Sequence, residues 1–358
     1  MTGGASRSQR RPWRHGRIRA VALALALCLP PVAAGAQGWA PGAETAQERA
    51  SRIALWPARS AAAGAGAGTA GVPAQRIVER SADPRVPDRF IEHVRDPYLA
   101  VYAPACGSDG GRQRPPCGHG TALLVIPGGG YVRVVLDKEG TALVPDFVDT
   151  AGITLFVLRY RLPGDGHLEG ADAPLADAQR ALRIIRERAA ALGLDPQRVG
   201  VMGFSAGGHV AARLATARTA AYAPVDGIDR RSARPDFALL VYPVISMAPD
   251  VAHAGSRREI LDASAGNGDV RARERRYSPD LHVGPDTPPL FVLHAQDDDA
   301  VPVANSLAIH AAALRAEVPA SLHVFPRGGH GFGTRAAHGA LAAWPRLAID
   351  WIQEQARP

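Results

Sequence analysis

The pentapeptide Gly203-Phe204-Ser205-Ala206-Gly207 sets a serine hydroxyl between two glycines. The apolar run Val199-Gly200-Val201-Met202 leads into it, and Gly208-His209-Val210-Ala211-Ala212-Arg213-Leu214 follows as a helix opening. Strand, G-x-S-x-G, helix is the context of a nucleophile elbow, a sharp turn that presents the hydroxyl and tolerates little bulk beside it. A serine hydroxyl becomes nucleophilic only when a base takes its proton and a third group orients that base. On a sheet with this turn, the chain order is serine, then acid, then histidine. Leu293-His294-Ala295-Gln296-Asp297-Asp298-Asp299-Ala300-Val301-Pro302 offers the acid, and Phe325-Pro326-Arg327-Gly328-Gly329-His330-Gly331-Phe332-Gly333 the base. The residues alone leave the acid open among three aspartates, of which Asp299 also suits a helix N-cap.

Acyl transfer at a serine needs hydrogen-bond donors for the developing oxyanion. Pro127-Gly128-Gly129-Gly130-Tyr131 follows an early apolar run, and the backbone N–H groups of Gly129 or Gly130 with that of Ala206 are the expected donors. No Gly-Lys-Ser/Thr follows these glycines, which disfavours a phosphate loop. Tyr131, Glu139 and His209 are candidate substrate contacts. Each has a plainer reading: Tyr131 and Tyr160 as core tyrosines, Glu139 as a support of the glycine loop or a helix-start carboxylate, His209 as a packed residue. His294 ends a strand near the acid and can support it.

These residues need a frame. Ala122-Leu123-Leu124-Val125-Ile126, residues 153–158, 237–242 and 290–293 are short apolar runs suited to strands covered on both faces. Leu175, Ala178, Leu182, Ile185 and Ala189 recur at helical spacing, so residues 174–192 read as an amphipathic helix, with Pro174 in its first turn and Gly193 at its end. Residues 89–104 alternate like a pair of early strands, 303–318 read as helix, 321–325 as strand and 336–355 as a closing helix. Alternating strand and helix calls for an α/β fold, a mostly parallel sheet with helices on both faces. Every catalytic candidate falls at a strand's C-terminal end, where such sheets bind ligands.

The chain has 358 residues and a net charge of +7, but six arginines crowd the first 19 positions. They precede an apolar run, residues 20–29, then Pro30-Pro31 and Ala34-Gly35-Ala36, the order of an export signal with its cleavage site. The run is too short for a stable membrane span, and no membrane anchor is expected. Without those arginines the chain is nearly neutral, so the basic balance gives no case for nucleic-acid binding. The expected organisation is a signal peptide over 1–36, a poorly structured leader over 37–88 with an Ala/Gly-rich linker at 61–71, and a catalytic domain over 89–358. The location implied is periplasmic or secreted. Export permits disulfides, and Cys106 and Cys117 flank a turn-rich insert that their pairing would pin; two free thiols are the alternative. Their spacing does not suit zinc, and no metal is expected.

With these stretches side by side, the chain resembles the exported α/β-hydrolase esterases related to acetylxylan esterases and bifunctional feruloyl/acetyl xylan esterases. The resemblance rests on Ile126-Pro127-Gly128-Gly129-Gly130-Tyr131, Asp137-Lys138-Glu139-Gly140, Leu158-Arg159-Tyr160-Arg161-Leu162, Gly203-Phe204-Ser205-Ala206-Gly207-Gly208-His209, Arg234-Pro235-Asp236-Phe237 and Gly328-Gly329-His330-Gly331-Phe332, with matching stretches at 174–181 and 301–306. It implies the α/β-hydrolase fold, Ser205 as nucleophile, Asp298 as orienting acid, His330 as base, no cofactor, and a small-molecule or oligosaccharide ester as substrate. Residues 246–285 match more loosely and should pack over the site. A prolyl-oligopeptidase-type serine peptidase would share fold and triad order, but the chain has no blade-length repeats ahead of residue 91. A catalytically inactive binding module would be expected to lack a triad member.

Overall fold

The computed structural model describes residues 1, 39–57, 71–105, 120–266 and 268–355. Residues 2–38, which hold nearly all of the expected signal peptide, residues 61–70 of the expected linker, and both Cys106 and Cys117 lie outside the described residues.

The apolar runs become the strands of an eight-stranded sheet. In chain order the strands are β1 (Ala40–Pro41), β2 (Ile53–Ala54), β3 (Arg76–Glu79), β4 (Arg89–Glu92), β5 (Tyr98–Tyr102), β6 (Ala122–Ile126), β7 (Val134–Val135), β8 (Thr154–Arg159), β9 (Val199–Phe204), β10 (Ala238–Val241), β11 (Leu290–Ala295) and β12 (Ala320–Phe325). The helices are α1 (Ala46–Ala50), α2 (Ala173–Arg188), α3 (Ser205–Thr216), α4 (Ala254–Ala263), α5 (Val270–Arg276), α6 (Ala304–Arg315) and α7 (Trp344–Gln355). The large sheet runs β12-β11-β10-β9-β6-β8-β5-β2. Its strands from β12 to β8 are parallel, while β5 and β2 add antiparallel pairs at one edge. A smaller antiparallel sheet joins β1, β3, β4 and β7.

Side chains alternate across a strand, and β6 shows the consequence. Leu124 and Ile126 enter one apolar cluster, whereas Leu123 and Val125 enter another on the opposite face. Both faces are therefore covered, which is why the run reads as continuously apolar. This is the α/β-hydrolase fold expected from the sequence.

Residues 89–104 form two strands, as expected, with β4 in the small sheet and β5 in the large one. Two expectations need correction. The closing helix begins at Trp344; Gly339, at φ 58°, opens a 3-10 turn over Gly339–Ala343 ahead of it, and Pro345 sits in the first turn of α7. The described parts of the leader are ordered: β1 and β3 pair, β2 pairs with β5, and α1 carries a capping box between Thr45 and Glu48. Glu48 has no solvent exposure and bonds Arg89 at 2.8 Å and Arg159 at 2.8 Å, and Arg89 also bonds Asp137 at 2.7 Å. Composition alone does not reveal those long-range ion pairs, which tie the leader to the sheet.

Candidate active site

Ser205 is the first residue of α3, directly after β9, and its φ of 53° is the strained backbone of the elbow. The flanking glycines are required by close approach: a β-carbon on Gly203 would lie 2.3 Å from the Gly207 carbonyl, and one on Gly207 2.1 Å from that of Ile126. The Ser205 Oγ lies 2.9 Å from His330 Nε2, and His330 Nδ1 lies 2.8 Å from Asp298 Oδ2. A carboxylate only accepts, so Nδ1 carries the hydrogen and Nε2 presents its lone pair to the hydroxyl. The three residues from the ends of β9, β11 and β12 thus meet in one line.

Of the three aspartates, only Asp298 reaches His330. Its Oδ1 also accepts the N–H groups of Ala300 and Val301, at 3.0 and 2.8 Å, and its Oδ2 accepts from His294 Nε2 at 3.2 Å. Burial pushes the Asp298 carboxyl up, but the bonds from His294, His330 and Val301 outweigh it and hold it far below the usual carboxylate range. His294 is fixed in turn: Nε2 faces the Asp298 oxygen and the Val301 carbonyl, both acceptors, while Nδ1 accepts from the Ser306 hydroxyl at 2.7 Å. Asp297 accepts the Gly329 N–H at 2.8 Å and so braces the histidine loop. Asp299 is exposed and caps no helix, since α6 starts after Val303.

Gly129, Gly130 and Tyr131 follow β6 with φ of 134°, 66° and 67°, turning the loop back over the elbow. The Gly128 N–H is taken by Glu139 Oε2 at 2.7 Å, which leaves the N–H groups of Gly129 and Gly130 as the loop's donors toward a ligand. Ala206 lies in the first turn of α3, where backbone N–H groups lack intrahelical acceptors.

Tyr131, Glu139 and His209, candidate substrate contacts in the sequence, are instead buried and spent on holding this loop. Tyr131 donates to His209 Nδ1 at 2.6 Å, and His209 Nε2 donates to the Tyr277 carbonyl at 2.7 Å. Burial, with Arg213 nearby, lowers the His209 pKa to about 3, so the ring is neutral with its hydrogen on Nε2. Glu139 Oε1 accepts from the Tyr242 hydroxyl at 3.0 Å, and Tyr160 donates to the Pro127 carbonyl at 2.9 Å. Tyr242 has φ 37°, and its ring stands 5.1 Å from that of His330. No sequence pattern marked Tyr242, which simply ends a buried strand.

A cavity of about 590 Å³ lined by Asp172, Leu175, Arg213, Thr216, Arg218 and Arg276 borders the far half of α3 and contains none of these groups. Among the described residues, no cluster of three or more His, Cys, Asp or Glu side chains is placed to hold a metal ion.

The fold and this constellation define an α/β-hydrolase with a serine nucleophile elbow. Comparison with known proteins narrows the class. The sequence profile of the BD-FAE family matches residues 117–313. An acetylxylan esterase of Xylanibacter ruminicola is 34% identical over 216 residues, 60% of this chain and 41% of that protein. Endo-1,4-beta-xylanase B of Butyrivibrio fibrisolvens is 34% identical over 215 residues, 58% of this chain and 32% of that protein. The chain therefore spans less than half the length of these curated relatives. The crystal structure of an acetyl ester-xyloside bifunctional hydrolase from Caldicellulosiruptor lactoaceticus superposes with a TM-score of 0.63 at 32% identity, covering 86% of this chain and 96% of that one. The chain belongs to the BD-FAE family of acetylxylan-esterase-like α/β-hydrolases, and its catalytic domain is of the carboxylic-ester hydrolase class.

Proposed function

We propose that the protein is an exported serine esterase that removes acetyl groups from a sugar or oligosaccharide. The observation that carries this reading is the line Ser205 Oγ, His330, Asp298, at 2.9 and 2.8 Å, at the mouth of an elbow. Likeness to an acetylxylan esterase and to an acetyl ester-xyloside hydrolase supports the substrate class. The arginine-rich, then apolar, N-terminal segment supports export.

In this mechanism His330 Nε2 accepts the Ser205 proton as Oγ attacks the acetyl carbonyl. The oxyanion is received by the backbone N–H groups of Gly129, Gly130 and Ala206. Asp298 holds the ring in the required tautomer and stabilises the imidazolium. The tetrahedral adduct collapses as His330 gives the proton to the leaving sugar oxygen, which leaves acetyl-Ser205. Water, deprotonated by His330, then attacks the acyl carbonyl, and the adduct collapses as its bond to Oγ breaks and His330 returns the proton to Ser205, releasing acetate. The reaction needs no cofactor.

Parallel assay on acetylated xylan, acetylated pectin, feruloyl esters and simple acetates tests the substrate class, with Ser205→Ala as control. Acetylated saccharides are expected to be turned over best, and Ser205→Ala to lose a factor of about 10⁴ or more in kcat. Turnover of peptide amides without ester turnover would instead favour a peptidase, and a Ser205→Ala variant of near-normal activity would refute the mechanism.

A further inference from the structure

His253 has no part in the mechanism above, yet its ring stands beside the groups that do. It follows β10 in the chain, within the segment whose match to the family is loose, and it is half-buried at the N-cap of α4. The ring occupies a slot made by two residues without side chains. A β-carbon on Gly130, in the glycine loop, would lie 3.8 Å from His253 Cε1, and one on Gly255 would lie 3.0 Å from the same atom. Its tautomer is fixed by the helix it caps. Nδ1 accepts the Ser256 backbone N–H at 3.1 Å, and an N–H can only donate, so Nδ1 carries no hydrogen. The Ser256 hydroxyl lies 2.9 Å from the same nitrogen and serves as a second donor to it. Burial holds the His253 pKa below the ordinary histidine value; His330 pushes it the same way and Asp298 opposes. The ring is therefore neutral, within electrostatic reach of the Asp298–His330 pair, and its hydrogen is on Nε2. That Nε2–H makes no hydrogen bond among the described residues.

We propose that His253 is a specificity residue whose Nε2–H donates a hydrogen bond to a free hydroxyl on the alcohol half of the bound ester, an inference that rests on the sugar-ester reading above. The chemistry of the substrate directs the donor there. The reacting carbonyl oxygen is already met by backbone N–H groups, and the acetyl methyl accepts nothing. In a polyol acetate the unreacted hydroxyls are the polar groups left without partners, and a neutral imidazole N–H at the edge of the glycine loop suits one of them. Its match is a polyol or saccharide; a plain alkyl alcohol gives the donor nothing to bind.

The test compares full-length wild type with His253→Asn on glycerol monoacetate and propyl acetate, which share a three-carbon alcohol and differ in its hydroxyls. Asparagine is among the best N-caps, so this variant keeps the α4 cap while removing the Nε2 donor. The ratio of kcat/KM for glycerol monoacetate over propyl acetate is expected to fall about tenfold, mainly through KM, with Tm preserved; one lost hydrogen bond is of that order. An unchanged ratio overturns the proposal, whether because nothing changes or because both esters lose equally, as a third oxyanion donor or a purely structural residue would require. His253→Ala, which loses cap and donor together, should lower Tm yet show the same ratio as Asn. A parallel assay on acetylated xylo-oligosaccharides separates the two readings. If wild type turns these over no better than propyl acetate, the sugar-ester assignment fails, while the glycerol-to-propyl ratio still decides the role of His253.

Discussion

Glu48 and Asp298 are both carboxylates with side chains fully removed from water, and they are held in opposite ways. Glu48 is matched by guanidinium groups, Arg89 and Arg159, at 2.8 Å each. Arginine stays charged at any accessible pH, so that cluster is static and joins α1 to the sheet. Asp298 is held by backbone N–H groups and two imidazoles. An imidazole can take up and release a proton, so the second cluster can do work that the first cannot. A buried carboxylate is thus a fastener or a working part according to whether its partner cation is permanent or titratable.

The largest expected effect falls on the titratable cluster. Asp298→Asn removes the acceptor that fixes the His330 tautomer, and kcat should drop by about 10³–10⁴ with the fold intact, as judged by circular dichroism. In the static cluster, Glu48→Gln leaves the buried Arg159 without a counter-charge and Arg89 with Asp137 alone. Arg159 already has its Nε and Nη1 without hydrogen-bond partners, and its remaining bond would be to a neutral amide. Denaturant titration should show a loss of about 3–5 kcal/mol, with kcat per folded molecule within a few-fold of wild type. If the two variants behave alike, the distinction between fastener and working part fails.

A smaller effect sharpens the comparison through pH. His209 titrates at about 3 in the folded chain against 6.5 for the free side chain, because burial disfavours its charge. The unfolded chain therefore binds the proton more tightly in that window, and stability falls as pH drops from about 6.5 toward 3. The lowered pKa values of Glu48, Asp137 and Asp298 add a further loss below about pH 4, where the unfolded carboxylates protonate first. Tm measured from pH 7 to 5 should slope less for His209→Gln than for wild type. The smallest change is expected from Tyr160→Phe, which removes one hydrogen bond to the glycine loop at Pro127. It should cost about 1 kcal/mol of stability and only a few-fold in kcat/KM.

The residues of the chemical line were legible because local physics marks them. Buried parallel strands are apolar runs, and the turns at their C-terminal ends carry glycines and the reactive side chains. β6, β8, β9, β10 and β11 and the pair Ser205 and His330 announce themselves in this way, whereas the residues alone leave the acid open among Asp297, Asp298 and Asp299, and the family resemblance points to Asp298. What holds them was not legible. Glu48 meets Arg159 across 111 residues and Arg89 across 41, with no local pattern to connect them. The Ala/Gly-rich stretch beside α1 made the leader read as unstructured. Tyr131, Glu139 and His209 were found as residues that matter near the site, but only packing could show that they face the protein and not the ligand. His253 caps α4 as a ring nitrogen acceptor, a role outside the usual Ser, Thr, Asp and Asn set.

The most direct measurement is rapid-quench peptide mapping during turnover of p-nitrophenyl acetate. The account predicts a burst of p-nitrophenol, an acetyl group on the peptide that contains Ser205, and slower accumulation of that species in Asp298→Asn. Turnover without a covalent intermediate, or an acetyl group that maps to another residue while Ser205→Ala retains its activity, would contradict it.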